Sequence, residues 1–146
     1  MKQWLVDTSV ILDVLGADEK FGPVSRQVLS DCAANGILVI NPVIFAEVGA
    51  WIDSLEELDS LLPEDVFRRD SLPWEAAFLA GKAFTRYKRA GGGKNRMLAD
   101  FLIGAHAAVK GFTLITRDSG IGKYFEIHVV NPASASPLHE VDSVIS

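Results

Sequence analysis

Short, mostly apolar runs alternate along the chain with longer segments in which apolar residues recur every three or four positions. The first pattern is typical of buried strands and the second of helices that cover a core. The sequence predicts strands at residues 4–6, 37–40, 112–116 and 127–130, with a weaker one at 66–69. It predicts helices at residues 10–15, 23–34, 42–52, 55–62, 73–89 and 97–110, and a short turn or helix at 120–124.

Cap and turn residues separate these segments. Asp7 and Asn41-Pro42 stand where the first and third helices begin, and Gly111 ends the last long helix. Because strands alternate with helices, we expect an α/β fold, a three-layer sandwich with a central parallel sheet covered by helices on both faces. A length of 146 residues fits a single domain spanning 1–146, with a Ser- and Ala-rich tail after Pro132 that docks loosely.

The composition is that of a globular protein, with 49% hydrophobic and 23% charged residues. The formal net charge of -5 does not favour an anionic partner, so any nucleic-acid role requires a local basic patch. Cys32 is the only cysteine, which excludes an internal disulfide and a thiolate zinc site and predicts a small buried side chain. No apolar run is long enough to span a bilayer, so we expect a soluble protein in the reducing cytoplasm, without a membrane partner.

Four carboxylates lie inside or at the ends of apolar segments: Asp7, Glu47, Asp100 and Asp118. A buried carboxylate is destabilising unless it is hydrogen-bonded, paired or bound to metal. Each acid alone has a simpler explanation, as a helix cap, a turn former or the partner of a buried arginine. One shared cation explains all four together. Oxygen ligands without supporting His or Cys favour Mg²⁺ or Mn²⁺ over zinc.

The positions of the acids agree with a shared site. Ligands of parallel α/β folds bind beyond the carboxyl ends of the strands. Asp7 follows the first strand directly, and Asp118 follows the strand at 112–116 by two residues. Asp100 lies near the amino end of a helix that is apolar on nearly all sides, so we expect it to be buried.

Glu47 is the only charged residue between positions 40 and 52. Its neighbours one helical turn away include Val43, Ala50 and Trp51. Since all three are apolar, this pattern predicts that the face of the helix around Glu47 is shielded from solvent.

A basic segment surrounds the three glycines at 91–93, immediately before the helix of Asp100. It predicts an RNA backbone contact beside the acids, through Arg86, Lys88, Arg89, Lys94 and Arg96. The alternative is a solvated helix end, where the helix dipole favours cations. Tyr87 suits either stacking on a base or packing in the core.

Four stretches in this order carry a family likeness: Val6-Asp7-Thr8-Ser9, then Asn41-Pro42-Val43-Ile44-Phe45-Ala46-Glu47, then residues 98–107 around Asp100, then Leu114-Ile115-Thr116-Arg117-Asp118. With these motifs the chain resembles PIN-domain ribonucleases, especially the VapC-type toxins of prokaryotic toxin–antitoxin pairs. The likeness covers nearly the whole chain.

The resemblance implies an acidic pocket formed by Asp7, Glu47, Asp100 and Asp118, with Ser9 and Thr116 as supporting hydroxyls. Our hypothesis is an endoribonuclease that depends on Mg²⁺ or Mn²⁺ and attacks RNA with water, using one or two ions. Asp7, Asp100 and Asp118 hold metal, and Glu47 ligates it or positions the water. The resemblance further implies a homodimer and a small antitoxin protein that blocks the pocket.

Two rival functions stay open at this point. One is a catalytically idle PIN-like module that binds RNA or protein, and the four intact acids argue against it. The other is a nuclease for structured DNA, although the chain lacks room for the additional helical elements of such enzymes. A phosphatase with an aspartate nucleophile does not fit, because Ser9 stands where a second Asp is required. A phosphate-binding loop around residues 91–93 fails because Lys88 and Asn95 replace its required residues.

Overall fold

The structure is a computed structural model that describes residues 1–134. Its elements are β1 (Lys2–Val6), α1 (Thr8–Leu15), α2 (Gly22–Asn35), β2 (Gly36–Ile40), α3 (Pro42–Gly49), α4 (Leu55–Leu61), β3 (Phe67–Arg69), α5 (Trp74–Arg89), α6 (Leu98–Lys110), β4 (Thr113–Ile115), a 3-10 helix (Ser119–Tyr124) and β5 (Val129–Val130). None of the helices in residues 1–134 is both long enough and apolar enough to cross a membrane.

Each predicted strand and helix is present, and the boundaries differ by a few residues. The largest difference is at α3, which ends three residues before the predicted position. There the hydrogen bonding tightens, and the amides of Trp51 and Ile52 donate to the carbonyls of Val48 and Gly49. The predicted tail continues beyond Ser134, outside the described residues. The prediction of a single domain over residues 1–146 therefore also extends outside them.

The five strands form one parallel sheet in the order β3-β2-β1-β4-β5. The chain moves in one direction along the sheet from β1 to β3, crosses back to β4, and then continues to β5. Because crossovers between parallel strands are right-handed, α1 to α4 cover one face and α5 and α6 cover the other. The predicted three-layer α/β fold is confirmed.

The core lies on both sides of the central strand. Trp4, Leu5 and Val6 are consecutive and have no exposed surface, and alternate residues of a strand point to opposite faces. Both faces of β1 are therefore covered, and each such side chain contributes roughly 1.5–3 kcal/mol by burial. Phe101 of α6 is also fully buried. Cys32 is buried as predicted, and desolvation raises the pKa of its thiol to about 12, so the thiol is unreactive.

The strand order places a crevice between β1 and β4. Chain connections leave these two neighbouring strands in opposite directions, and ligands of open α/β sheets bind at such a switch point. Asp7 follows β1, and its amide donates to the Ile115 carbonyl of β4 at 2.9 Å. Asp118 follows β4 on the other side of the crevice.

Candidate active site

Asp7 caps α1, and its carboxylate accepts three hydrogen bonds. Its carboxylate accepts the Thr8 amide at 2.9 Å, the Ser9 hydroxyl at 3.0 Å and the Thr116 hydroxyl at 2.7 Å. Burial nevertheless raises the pKa of Asp7, and the nearby charge of Asp100 raises it further. The three hydrogen bonds fix the carboxylate in place without compensating fully for the loss of water.

Asp100 occupies the first turn of α6 and faces the same crevice. Its Oδ2 accepts the Met97 amide at 2.7 Å, so the side chain caps the amino end of its own helix. The side chain is half-buried, less than the sequence predicted, because Leu98 and Met97 at the start of α6 are exposed. Desolvation is the main cause that raises the pKa of Asp100, and repulsion by Asp118 adds to it.

Asp118 differs from the other two acids because it has its own counter-ion. Arg96 forms a bidentate ion pair with it, through Nε to Oδ2 at 2.8 Å and Nη2 to Oδ1 at 2.7 Å. The Arg96 guanidinium holds the pKa of Asp118 below its usual range. The Thr116 hydroxyl, which donates to Asp7, also accepts the Asp118 amide at 3.1 Å, so one side chain positions two acids.

These acids line one open pocket with a volume of about 290 Å³. Its walls are formed by acids, arginines and small polar residues: Asp7, Ser9, Asn95, Arg96, Asp100, Arg117 and Asp118. A smaller cavity of about 20 Å³ is also lined by Asp7, Asp100 and Asp118. That volume is enough for one species of the size of a water molecule.

Glu47 does not line either cavity. Its Oε1 accepts the Thr8 hydroxyl at 2.6 Å, and Thr8 follows Asp7 directly, so Glu47 reaches the site through one intervening side chain. The prediction that its helix face is shielded from solvent holds for one part of that face, since Val43 and Glu47 are half-buried. Ala50 is exposed and the side chain of Trp51 is 75% exposed, and both residues lie beyond Gly49, where α3 ends.

Asp13 and Arg117 belong to the site but were not predicted from the sequence. Arg117, on the pocket wall, donates to both carboxylate oxygens of buried Asp13, at 2.8 and 3.0 Å. The Ser25 hydroxyl also donates to the Asp13 carboxylate. The Arg117 guanidinium also lies over the Phe21 ring at 4.2 Å. Asp13 interrupts the apolar run of α1, the same signal that marked the other four acids.

The predicted RNA-binding residues fall into two groups. Arg86, Lys88, Arg89 and Lys94 are exposed at the end of α5 and in the following loop. Arg96 points into the pocket and pairs with Asp118. Tyr87 is only 6% exposed and packs against Phe101, which corresponds to the packing alternative.

A second buried polar cluster joins α3 to α6. The Asn41 carbonyl oxygen accepts the Ile44 amide, so its amino group donates to His106 Nδ1 at 2.9 Å. His106 Nε2 then donates to Asp70 Oδ2 at 2.8 Å. Burial lowers the pKa of His106, which keeps it neutral. None of these three residues lines the acidic pocket.

The pocket suits a hard divalent cation in its donor chemistry. Within residues 1–134, no three Asp, Glu, His or Cys side chains are arranged to hold a metal ion by themselves. Mg²⁺ commonly uses only one or two carboxylates and fills its other positions with water and phosphate oxygens. Asp7 and Asp100 meet that requirement, since both line the pocket and burial leaves their negative charge poorly compensated.

Comparison with known proteins agrees with this architecture. The family model for the PIN domain matches residues 4–125. No curated protein matches the sequence significantly. Similar solved structures include VapBC-1 from nontypeable Haemophilus influenzae (TM-score 0.68, 16% identity, 90% of this chain and 99% of that chain). VapBC2 from Rickettsia felis, bound to a DNA fragment from their promoter, has a TM-score of 0.67 and 17% identity over 88% of this chain and 98% of that chain. FitAcB from Neisseria gonorrhoeae has a TM-score of 0.65 and 22% identity over 90% of this chain and 99% of that chain. At these identities the likeness shows the fold alone.

Proposed function

Because the chain belongs to the PIN-domain family, we propose that it is a metal-dependent endoribonuclease and the toxin of a type II toxin–antitoxin pair. The observation that carries the proposal is the meeting of Asp7, Asp100 and Asp118 in one pocket at the switch point of the sheet. These acids come from three distant parts of the sequence. An acidic pocket with poorly compensated charge is suited to a cation and to the phosphate that the cation attracts.

Asp7 and Asp100 are the side chains that would hold Mg²⁺ or Mn²⁺. When bound there, the ion would activate water as a nucleophile and neutralise charge that develops on the phosphate. The Ser9 and Thr116 hydroxyls orient Asp7, and the Met97 amide orients Asp100. Such fixed ligands need little rearrangement during the reaction.

Glu47 acts beside the pocket in this proposal. Its hydrogen bond to Thr8 holds the first turn of α1, next to Asp7, while its second carboxylate oxygen accepts no hydrogen bond from the described residues. That oxygen is available to orient a water molecule that approaches the pocket. A role for Glu47 as a direct metal ligand stays a prediction from the sequence.

The substrate in this proposal is the sugar–phosphate backbone of RNA. The exposed Arg86, Lys88, Arg89 and Lys94 form a local basic surface on a chain of net charge -5, and it precedes the helix of Asp100. Such a surface attracts phosphates without reading a sequence. Arg117 lies on the pocket wall itself, where a phosphate next to the scissile one would pass.

Protein partners are proposed from the structural neighbours and from exposed apolar side chains. VapBC structures are similar in fold to this chain, and a cognate antitoxin is the corresponding partner here. Trp51 and Leu55 are 75% and 66% exposed, and Trp74 and Phe78 on α5 are 93% and 64% exposed. Exposed apolar patches of this kind mark protein contacts. We assign them to the antitoxin and to the second copy of a homodimer.

The test of the proposed function is RNA cleavage by the purified chain freed of its antitoxin. We expect cleavage with Mg²⁺ or Mn²⁺, loss of activity in EDTA, and recovery when the ion is added back in excess, because Asp7 and Asp100 alone do not activate water. Gel analysis of a labelled RNA measures all three. Undiminished cleavage in chelator would contradict the metal requirement. RNA binding without cleavage under any divalent ion would favour the idle binding module.

A further inference from the structure

We propose that Arg96 is a built-in second cation of the pocket, so that the site takes one divalent ion instead of two. The inference rests on the proposed function and deepens it, since it fixes how many ions the acids accommodate. It assigns Asp118 to Arg96 and leaves Asp7 and Asp100 for the ion.

The first support is the geometry of the ion pair. Both Asp118 oxygens accept a hydrogen bond from Arg96, at 2.8 and 2.7 Å, in the bidentate arrangement that a guanidinium favours. The Arg96 side chain is only 17% exposed, so water does not compete freely for it. A carboxylate held in this way has few lone-pair directions left for a metal ion.

The second support is the packing around the guanidinium. The Arg96 guanidinium lies beside the paired rings of Tyr87 and Tyr124, at 5.8 and 5.6 Å from their centroids. A Cβ atom on Gly120 would lie 2.5 Å from Arg96 Nη2, so a residue with a side chain at position 120 would displace the arginine. The backbone of the crevice is therefore shaped to admit this side chain.

The third support is the loop that carries Arg96. The single proton of the Tyr87 hydroxyl is shared between two acceptors, the Gly93 carbonyl oxygen at 3.2 Å and Asn95 Oδ1 at 3.1 Å. These contacts join the loop to the buried Tyr87 of α5, immediately before Arg96. The arginine is consequently held at the pocket by the fold and is not a loose surface charge.

The fourth support is the balance of charge. With Arg96 paired to Asp118 and Arg117 paired to Asp13, the remaining pocket charges are those of Asp7 and Asp100. Two negative charges match one divalent ion.

The test is the number of Mn²⁺ ions bound per chain, measured by titration calorimetry and by electron paramagnetic resonance of free Mn²⁺. We expect one ion for the unchanged protein and two for Arg96→Gln, because the neutral side chain releases Asp118. Arg96→Lys keeps a positive charge and should stay at one ion. Arg26→Gln is the matched control, because it removes one exposed positive charge on α2 that does not line the pocket, and it should also stay at one ion.

A second pair of variants keeps the inference testable if Arg96→Gln does not fold. Asp118→Asn should change Mn²⁺ affinity by less than about tenfold, since Asp118 does not hold the ion. Asp7→Asn should lower it by at least about a hundredfold, because removal of even an outer partner of a metal ligand costs 10- to 100-fold.

The outcomes separate the two proposals. Two ions on the unchanged protein, one ion on folded Arg96→Gln, or loss of binding in Asp118→Asn would each overturn the role of Arg96 and leave the metal-dependent nuclease intact. No Mn²⁺ bound by the unchanged protein at millimolar concentration would overturn the proposed function itself.

Discussion

Replacing Asp7 with asparagine is expected to lower the rate of RNA cleavage by roughly a thousandfold or more, with the fold intact. The substitution keeps the shape of the side chain and removes the negative charge that would hold the ion. The Ser9 and Thr116 hydroxyls both donate and accept hydrogen bonds, so they can pair with an amide as well as with a carboxylate. Single-turnover cleavage of a labelled RNA measures the loss, and Asp53→Asn, an exposed acid, is the control.

The same substitution should leave the melting temperature in metal-free buffer unchanged or higher. The pKa of Asp7 is raised in the folded state, so its carboxyl does not weaken the fold at pH values below its ordinary pKa of 3.8. As the pH rises from there through the higher folded pKa, ionisation favours the unfolded chain and stability is lost. The asparagine variant has no such loss, so its advantage should grow with pH over this window. A variant that is inactive only because it unfolds would favour a structural role for Asp7.

Replacing Asp13 with alanine is expected to lower the free energy of unfolding by about 3 kcal/mol, the low end for breaking a buried ion pair. Asp13 is 5% exposed and accepts hydrogen bonds from Arg117 and Ser25, which would lose their partner. Arg117 is 32% exposed and regains some water, which limits the cost. Urea unfolding measures the change.

Asp59→Ala is the matched control for this experiment. Asp59 also pairs with an arginine, Arg69, at 2.7 Å, but both side chains are more than a third exposed. Exposed pairs contribute about 0–1 kcal/mol, so this variant should unfold close to the unchanged protein. Equal effects of the two substitutions would contradict the structural importance of the Asp13–Arg117 pair.

The fold and part of the site were predictable because they depend on local patterns. Consecutive apolar residues such as Trp4, Leu5 and Val6 indicate a strand covered on both faces, and the structure confirms it. The family likeness and the rule that ligands bind at the carboxyl ends of strands both pointed to Asp7 and Asp118, which meet in the pocket. The PIN-domain match confirms the predicted resemblance.

Other features depend on tertiary contacts that helical spacing does not contain. The spacing around Glu47 predicts a helix that continues through Trp51, but α3 ends at Gly49 and Trp51 is exposed. Arg96 was grouped with the surface cations, since its pairing with Asp118 joins residues 22 positions apart. Asp13 met the criterion of an acid in an apolar run, but its partner Arg117 is 104 positions away.

The most direct test of a nuclease that uses metal-activated water is the chemistry of the cut ends. Water attack in line at phosphorus displaces the 3′ oxygen and leaves a 5′ phosphate on the downstream fragment. The account predicts that product in mass spectra, and predicts cleavage of a substrate with a single 2′-deoxy sugar at the scissile position. A 2′,3′-cyclic phosphate, with complete resistance of the deoxy substrate, would contradict the mechanism assigned to the pocket of Asp7, Asp100 and Asp118.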